Sequence, residues 1–368
     1  MGNDGLGARF VNLLRLAAAA AGAGTVLAAG ALAQVPAQPA PAAPAAPRPY
    51  ELISLDPAFD RLVAPGTQLE TVVTVPGLNS EGPLWRGGKL WISDQKNSLL
   101  YEVGLDGSYR VLVRDAGGAI NPAYTVNQGP NGSASYMDGS VLFARQGYRD
   151  IGRIDREGKV SAFLTGFEGK RFNSPNDLAV RADGAVFFTD PPFSLPGYPW
   201  REATGGPPLP PNKEIPFNGV FRFKDGRLTP VITDMRMPNG VALSPDGRTL
   251  YVNNYYPDLY TRAYSVDADG GLSNGRELIR FPNDTPFGRG SPDGLKVDSQ
   301  GNVWTTGPGG VLVVSPEGKL LGRFQLPATA TNLAFGGDDY RSVFFTCGAT
   351  VYRVRTLVSG AAPPFSER

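Results

Sequence analysis

The 368-residue chain contains no histidine and a single cysteine. The first absence excludes Ser-His-Asp and Cys-His nucleophilic catalysis, and with them every zinc site that needs an imidazole ligand. The second excludes an internal disulfide, a CxxC pair and a cysteine-rich metal site. An excess of one charge is also missing: 35 Lys and Arg face 34 Asp and Glu, for a net charge of +1. No basic stripe runs through the chain, so neither nucleic acid nor an anionic membrane is expected as a partner. Hydrophobic residues still reach 41%, too many for a disordered chain, and they are interspersed with 47 glycines and 34 prolines. That mixture suits a turn-rich β protein. Any chemistry must run on carboxylates, amides, hydroxyls, Lys, Arg or a bound ion.

The N-terminus reads as an address. Arg9 and Arg15 precede a mostly apolar, Ala/Gly-rich run from Leu16 to Ala33, which ends in Ala31-Leu32-Ala33. Small residues at those positions are the pattern of a cleaved signal peptide. The run is nearly long enough to span a bilayer, so an uncleaved anchor is the alternative, but its Ala/Gly content is weakly hydrophobic and favours cleavage. Residues 1–33 are accordingly read as a signal peptide and 34–48 as an extended Pro/Ala-rich tether. Residues 49–358 form the folded domain and 359–368 a C-terminal tail. The mature protein is expected to be exported, periplasmic or secreted, without stable membrane association.

Six segments repeat one pattern: a polar residue, alternating apolar residues, a Gly or Asp turn, then a β-branched or aromatic run. They begin SEGPLW at Ser80, GPNGSA at Gly129, SPNDLA at Ser174, MPNGVA at Met237, SPDGLK at Ser291 and TNLAFG at Thr331. Each is a hairpin signal. The polar leaders are Glu81, Asn131, Asn176, Asn239, Asp293 and Asn332, roughly 50 residues apart on average, and a further strand pair fits within each interval. Four strands per period is one blade, and the sequence predicts an all-β, six-bladed β-propeller. A strand near Leu69–Val75 is expected to close the ring by completing the blade that contains Thr350–Arg355.

Equivalent positions of a propeller gather at one end of its central channel, so the six leaders should converge. They supply two carboxylates and four amides with no Lys or Arg among them. An oxygen-rich pocket of this kind suits one hard divalent cation, Ca²⁺ above all, with Zn²⁺, Mg²⁺ or Mn²⁺ as alternatives. The competing reading is that Asn-Gly and Asp-Gly are ordinary turn formers. Glu81 resists it, because Glu is a poor turn residue.

The segments SEGPLW, EGKRFNSPNDLAV, VFFTDPPF, MPNGVALSPDGRTLYV, SPDGLKVDSQGNVW and AFGGDDYRSVFFT together resemble the SMP-30/gluconolactonase family of regucalcin-like lactonases. The likeness runs from about Glu81 to Arg355. It implies a six-bladed propeller, a divalent ion held by Glu81, Asn239 and Asp293 with Asn176 as a further ligand or substrate contact, and hydrolysis of a small-molecule sugar lactone with Asp293 as the base. Asn131 and Asn176 would orient the substrate, and Trp85 would wall the pocket. Two positions depart from the family pattern: Gln146 stands where bacterial members often carry His, and Ser174 where some carry a sugar-binding Arg.

The Pro- and aromatic-rich stretch from Pro191 to Gly219 reads either as a lid over one mouth, with Tyr198 and Trp200 in it, or as a surface excursion. Asp190 is either a support for the site or a turn cap, and Cys347 a small buried apolar residue. The alternative to an enzyme is a non-catalytic, calcium-bound propeller acting as a binding module.

Overall fold

A computed structural model of the chain describes residues 48–120, 127–195, 213–282, 288 and 290–366. The signal peptide and nearly all of the tether lie outside these residues, as do Tyr198 and Trp200.

Six antiparallel sheets surround one axis, each a meander that starts at the channel and works outward. The first blade comprises Ser80–Arg86, Lys89–Asp94, Leu99–Val103 and Tyr109–Arg114. The second comprises Pro130–Ser135, Val141–Arg145, Asp150–Ile154 and Val160–Leu164, and the third Leu178–Val180, Val186–Asp190, Gly219–Lys224 and Arg227–Ile232. The fourth runs through Pro238–Leu243, Thr249–Asn254, Tyr260–Val266 and Leu272–Arg280, and the fifth through Leu295–Val297, Val303–Gly307, Gly310–Val314 and Leu320–Gln325. The sixth takes Asn332–Gly336, Ser342–Cys347 and Thr350–Arg355 from the C-terminal part and Glu70–Thr74 from the N-terminal part. This is the six-bladed propeller the repeats predict, with the expected closure: Glu70 pairs with Arg353 and Thr74 with Thr350. The sequence pattern did not reveal a fifth strand on the fifth blade, Glu51–Ser54, paired from Glu51 opposite Gln325.

The burial pattern explains the sequence pattern. Second strands such as Val141–Arg145, Val186–Asp190 and Ser342–Cys347 are buried throughout, because blades pack on both of their faces. They therefore read as continuous apolar and aromatic runs, whereas the outer strands are half exposed. Aromatic side chains fill the wedges between blades: Trp304 meets Phe324 and Phe335 at centroid distances of 5.6 and 5.2 Å, and Phe59, from the short helix Pro57–Asp60, packs on Phe324. Cys347 is buried in this core as expected, and burial pushes its thiol pKa up. The C-terminal residues are tied down rather than loose: Gly360 N–H donates to Tyr340 O at 2.8 Å and Ala361 N–H to Val297 O at 3.0 Å.

Candidate functional site

All six leading residues sit at the start of an inner strand or just before it, at one end of the channel. In the first, second and fourth blades the strand bulges there: pairing jumps between Glu81 and Leu84, between Pro130 and Ser133, and between Pro238 and Val241. A bulge re-aims a side chain, and here it falls on the repeated motif each time. The glycines that follow are not simply turn formers. A Cβ on Gly82 would overlap the Asn131 carbonyl, one on Gly132 would meet Asp177, one on Gly240 the Asp293 carbonyl, and one on Gly294 the Asn332 side chain. Gly132 N–H donates to Asn176 O at 2.8 Å and Gly240 N–H to Asp293 O at 2.9 Å. Each glycine lets one blade's leader lie against the next, so the x-Gly pairs close the ring as well as turning the chain.

Second strands hold the leaders in place. Asp293 N–H donates to Thr306 Oγ1 at 2.7 Å, and its carbonyl accepts Asn253 Nδ2 at 2.8 Å. Asn332 N–H donates to Thr346 Oγ1 at 3.0 Å, and Asn131 O accepts the Ser93 hydroxyl at 2.6 Å. Asp190 is a support for the loop that carries Asn176: its two carboxylate oxygens accept the N–H groups of Asn173 and Ser174, each at 2.8 Å. Burial pushes its pKa up to about 7 against those bonds and the charges of Arg149 and Lys213.

The side chains divide into two groups. Asn332 is fully engaged: its Nδ2 donates to Glu81 Oε1 at 2.5 Å, and its Oδ1 accepts the Leu333 N–H at 2.8 Å. It positions Glu81 and has no oxygen left for a ligand. Asn131, Asn176 and Asn239 are the opposite, each carrying a buried Oδ1 with no hydrogen-bond partner among the described residues. A buried amide oxygen left unpaired costs about 1–3 kcal/mol, so three around one axis mark a place built to be filled.

Glu81 and Asp293 face the same space. Burial pushes Glu81 up to about 7, opposed by hydrogen bonds from Asn332 and Thr331 and reinforced by Asp177. Burial also raises Asp293 well above the usual carboxylate range, with Glu81 and Asp177 adding to the shift and an Asn239 hydrogen bond opposing it. Asp293 is surrounded by protein but keeps part of its surface open. Two carboxylates held above their usual range chiefly by burial, beside three unpaired amide oxygens, offer oxygens that could hold a hard cation. Among the described residues no cluster of three or more His, Cys, Asp or Glu could hold a metal ion, so any cation here would also have to draw on amide oxygens.

Three placements differ from, or add to, the sequence reading. Trp85 lies four residues further along its strand than Glu81, buried and stacked on Phe344 at 5.5 Å between the first and sixth blades, and it borders the channel cavity beyond the leading residues. Asp177, next to Asn176, is a third buried carboxylate acting on both Glu81 and Asp293. Tyr255 is the other addition; burial and the charge of Asp293 push its hydroxyl pKa up to about 12. Tyr255 packs with Phe193, Leu195, Met237 and Tyr256 in an apolar cluster. Phe193 and Leu195 come from the start of the Pro191–Gly219 stretch, so its described end packs beside the site, while its middle lies outside the described residues. Ser174 Oγ reaches Ser194 Oγ of the same stretch at 3.0 Å, and Gln146 is buried with its Oε1 unpartnered.

The family model for the SMP-30/gluconolactonase/LRE-like region matches residues 79–349. A gluconolactonase of Zymomonas mobilis subsp. mobilis is 32% identical over 323 residues, covering 84% of this chain and 87% of the relative. The solved structure of a gluconolactonase from Xanthomonas campestris superposes with a TM-score of 0.70 at 31% identity, covering 86% of this chain and 98% of that one. A calcium-binding protein, regucalcin, from Agrobacterium tumefaciens shares the fold at a TM-score of 0.61 and 19% identity, covering 82% of this chain and 98% of that one. With its six blades, its ring of leading residues and this match, the chain belongs to the SMP-30/gluconolactonase/LRE-like family.

Proposed function

We propose that the protein hydrolyses a sugar lactone at this end of its channel, using a divalent cation held by Glu81, Asn239, Asp293 and Asn176. The carrying observation is the set of unpaired amide oxygens beside two carboxylates whose pKa values burial raises, Glu81 adding to the shift of Asp293. Oxygen-only donors with several amide carbonyls favour Ca²⁺ over softer ions. When bound, such a cation would polarise the ester carbonyl and offset the carboxylate charge.

The remaining work falls to the chain. Asp293 is the base: it is partly open, and the chain has no imidazole to compete with it. It accepts the proton of the attacking water as the carbonyl carbon becomes tetrahedral, and returns it to the ring oxygen as the ring C–O bond breaks, leaving the open-chain hydroxy acid. Asn239 keeps that carboxylate aimed through its hydrogen bond, and Asn332 does the same for Glu81. Asn131 accepts a lactone hydroxyl at its free oxygen, and Asn176, whose free oxygen faces the cation, orients the lactone through its amide N–H. Phe193, Leu195 and Tyr255 wall the approach and keep bulk water from the carboxylates.

Acid release from a panel of sugar lactones tests this reading. The chelator-treated protein should be inactive and regain turnover when Ca²⁺, Mg²⁺, Mn²⁺ or Zn²⁺ is restored, and Asp293→Ala should stay inactive throughout. A cation that raises the melting temperature without any turnover would replace the enzyme with a calcium-bound binding module.

A further inference from the structure

One rung along the channel from the leading residues, the inner strands present a second ring. Register defines it: Leu84, Ala134, Ala179, Ala242, Lys296 and Ala334 pair with Trp91, Leu142, Phe187, Tyr251, Trp304 and Phe344. All six border a cavity of about 360 Å³ that continues to the C-terminal residues Ala361–Pro364. Four are alanine and one is leucine, so the axis is left open; Lys296 is the one charged residue among the six, and Arg181 borders the same cavity from outside the ring.

Lys296 turns back toward the first ring. Its Nζ donates to Leu295 O at 2.9 Å and Asn332 Oδ1 at 3.4 Å, and lies 3.6 Å from Asp177 Oδ2. The Asp177 side chain is only 3% exposed, and its Oδ2 makes no hydrogen bond among the described residues. Asn332 in turn holds Glu81 at 2.5 Å. One ammonium therefore faces the third buried carboxylate and orients the amide that fixes the first. An uncompensated buried carboxylate is expensive, and in this partly desolvated setting a charge a few ångströms away acts strongly.

We infer that Lys296 is a positioning residue, a fixed ammonium that forms the floor of the site, neutralising Asp177 and orienting Glu81 through Asn332. The inference rests on the cation-and-lactone reading above. With Lys296 present, Glu81, Asp177 and Asp293 offer a net charge of about −2, which one divalent cation balances. Without it the same oxygens would hold the cation more tightly and leave it a weaker electrophile.

The test is calorimetric Ca²⁺ titration and melting of the mature protein and three variants. Lys296→Met should bind Ca²⁺ about tenfold more tightly, melt lower in chelator, and lose lactone kcat with KM little changed. Asp177→Asn should shift Ca²⁺ affinity about tenfold the other way, which keeps the test alive if the Met variant fails to fold. The double variant should return affinity and melting toward the parent. A role in packing alone would lower stability without tightening Ca²⁺ binding. Lys296→Met binding no more tightly than the parent, or a double variant that does not recover, would overturn the inference. If the parent binds no cation, the cation reading fails, and the Lys296–Asp177 coupling is then decided by melting in chelator alone: it stands if the double variant recovers the loss and falls if it does not.

Discussion

The two rings of the channel are built from the same six strands and differ by one rung. The outer ring carries Glu81, Asn131, Asn176, Asn239, Asp293 and Asn332, and three of its amide oxygens have no partner among the described residues. The inner ring carries alanines, a leucine and Lys296, and it borders a largely apolar cavity. Propeller symmetry gathers equivalent positions, but it does not say what gathers there. Polar residues left unpaired at a convergence point are what the proposed ligand site rests on, whereas small apolar residues at the next one form a lining. The asymmetric residues in each ring, Asn332 in the first and Lys296 in the second, tie the two together.

The comparison breaks most sharply at Asp293. Asp293→Asn should cut lactone kcat at least about 1,000-fold, because the base is lost while the shape is kept. The same variant should melt no lower than the parent in chelator, since a buried charge has been removed. Lactone assays beside thermal unfolding read both.

Closing of the outer ring is tested by Gly240→Ala. The added methyl would overlap the Asp293 carbonyl, and the obstacle is backbone rather than a flexible side chain. A loss of about 3 kcal/mol in urea unfolding is expected. Asn332→Leu keeps the volume but removes the donor to Glu81. A hydrogen bond to a charged group is worth about 1.5–3 kcal/mol, so kcat/KM should fall roughly 10- to 100-fold.

The smallest effect concerns Asp190. Its folded pKa of about 7 lies above its usual 3.8, so between those values the folded protein holds a proton that the unfolded chain has released. Its contribution to stability is therefore full at low pH and is lost as pH rises through that window. Melting temperatures from pH 4 to 8 in chelator should show a shallower fall in Asp190→Asn than in the parent.

Much of this was legible in the sequence, for a physical reason. Blades repeat, and the repeat exposes both the strand count and the positions that must meet. Closure through Glu70–Thr74 followed from the blade left one strand short. What the repeat could not show was individual partnering. Asn332 looks like the other three asparagines, and only its neighbour Glu81 reveals that it is occupied. Asp177 was hidden behind Asn176 because a single motif covered both. Lys296 carried a signal that alignment of the six segments contains: it is the charged residue at a rung where the others are Leu or Ala. Trp85 borders the channel cavity and also fills a wedge between blades, a second role that a motif alone does not show. The Glu51–Ser54 strand lies outside the repeat and left no periodic trace.

The most direct measurement is a calorimetric Ca²⁺ titration of the chelator-treated protein beside Glu81→Gln. One site per chain is expected, with affinity at least about tenfold weaker in the variant, because a charged ligand has been neutralised in a buried ring. No binding by the parent, or equal binding by both, would contradict the assignment of the outer ring as a cation site.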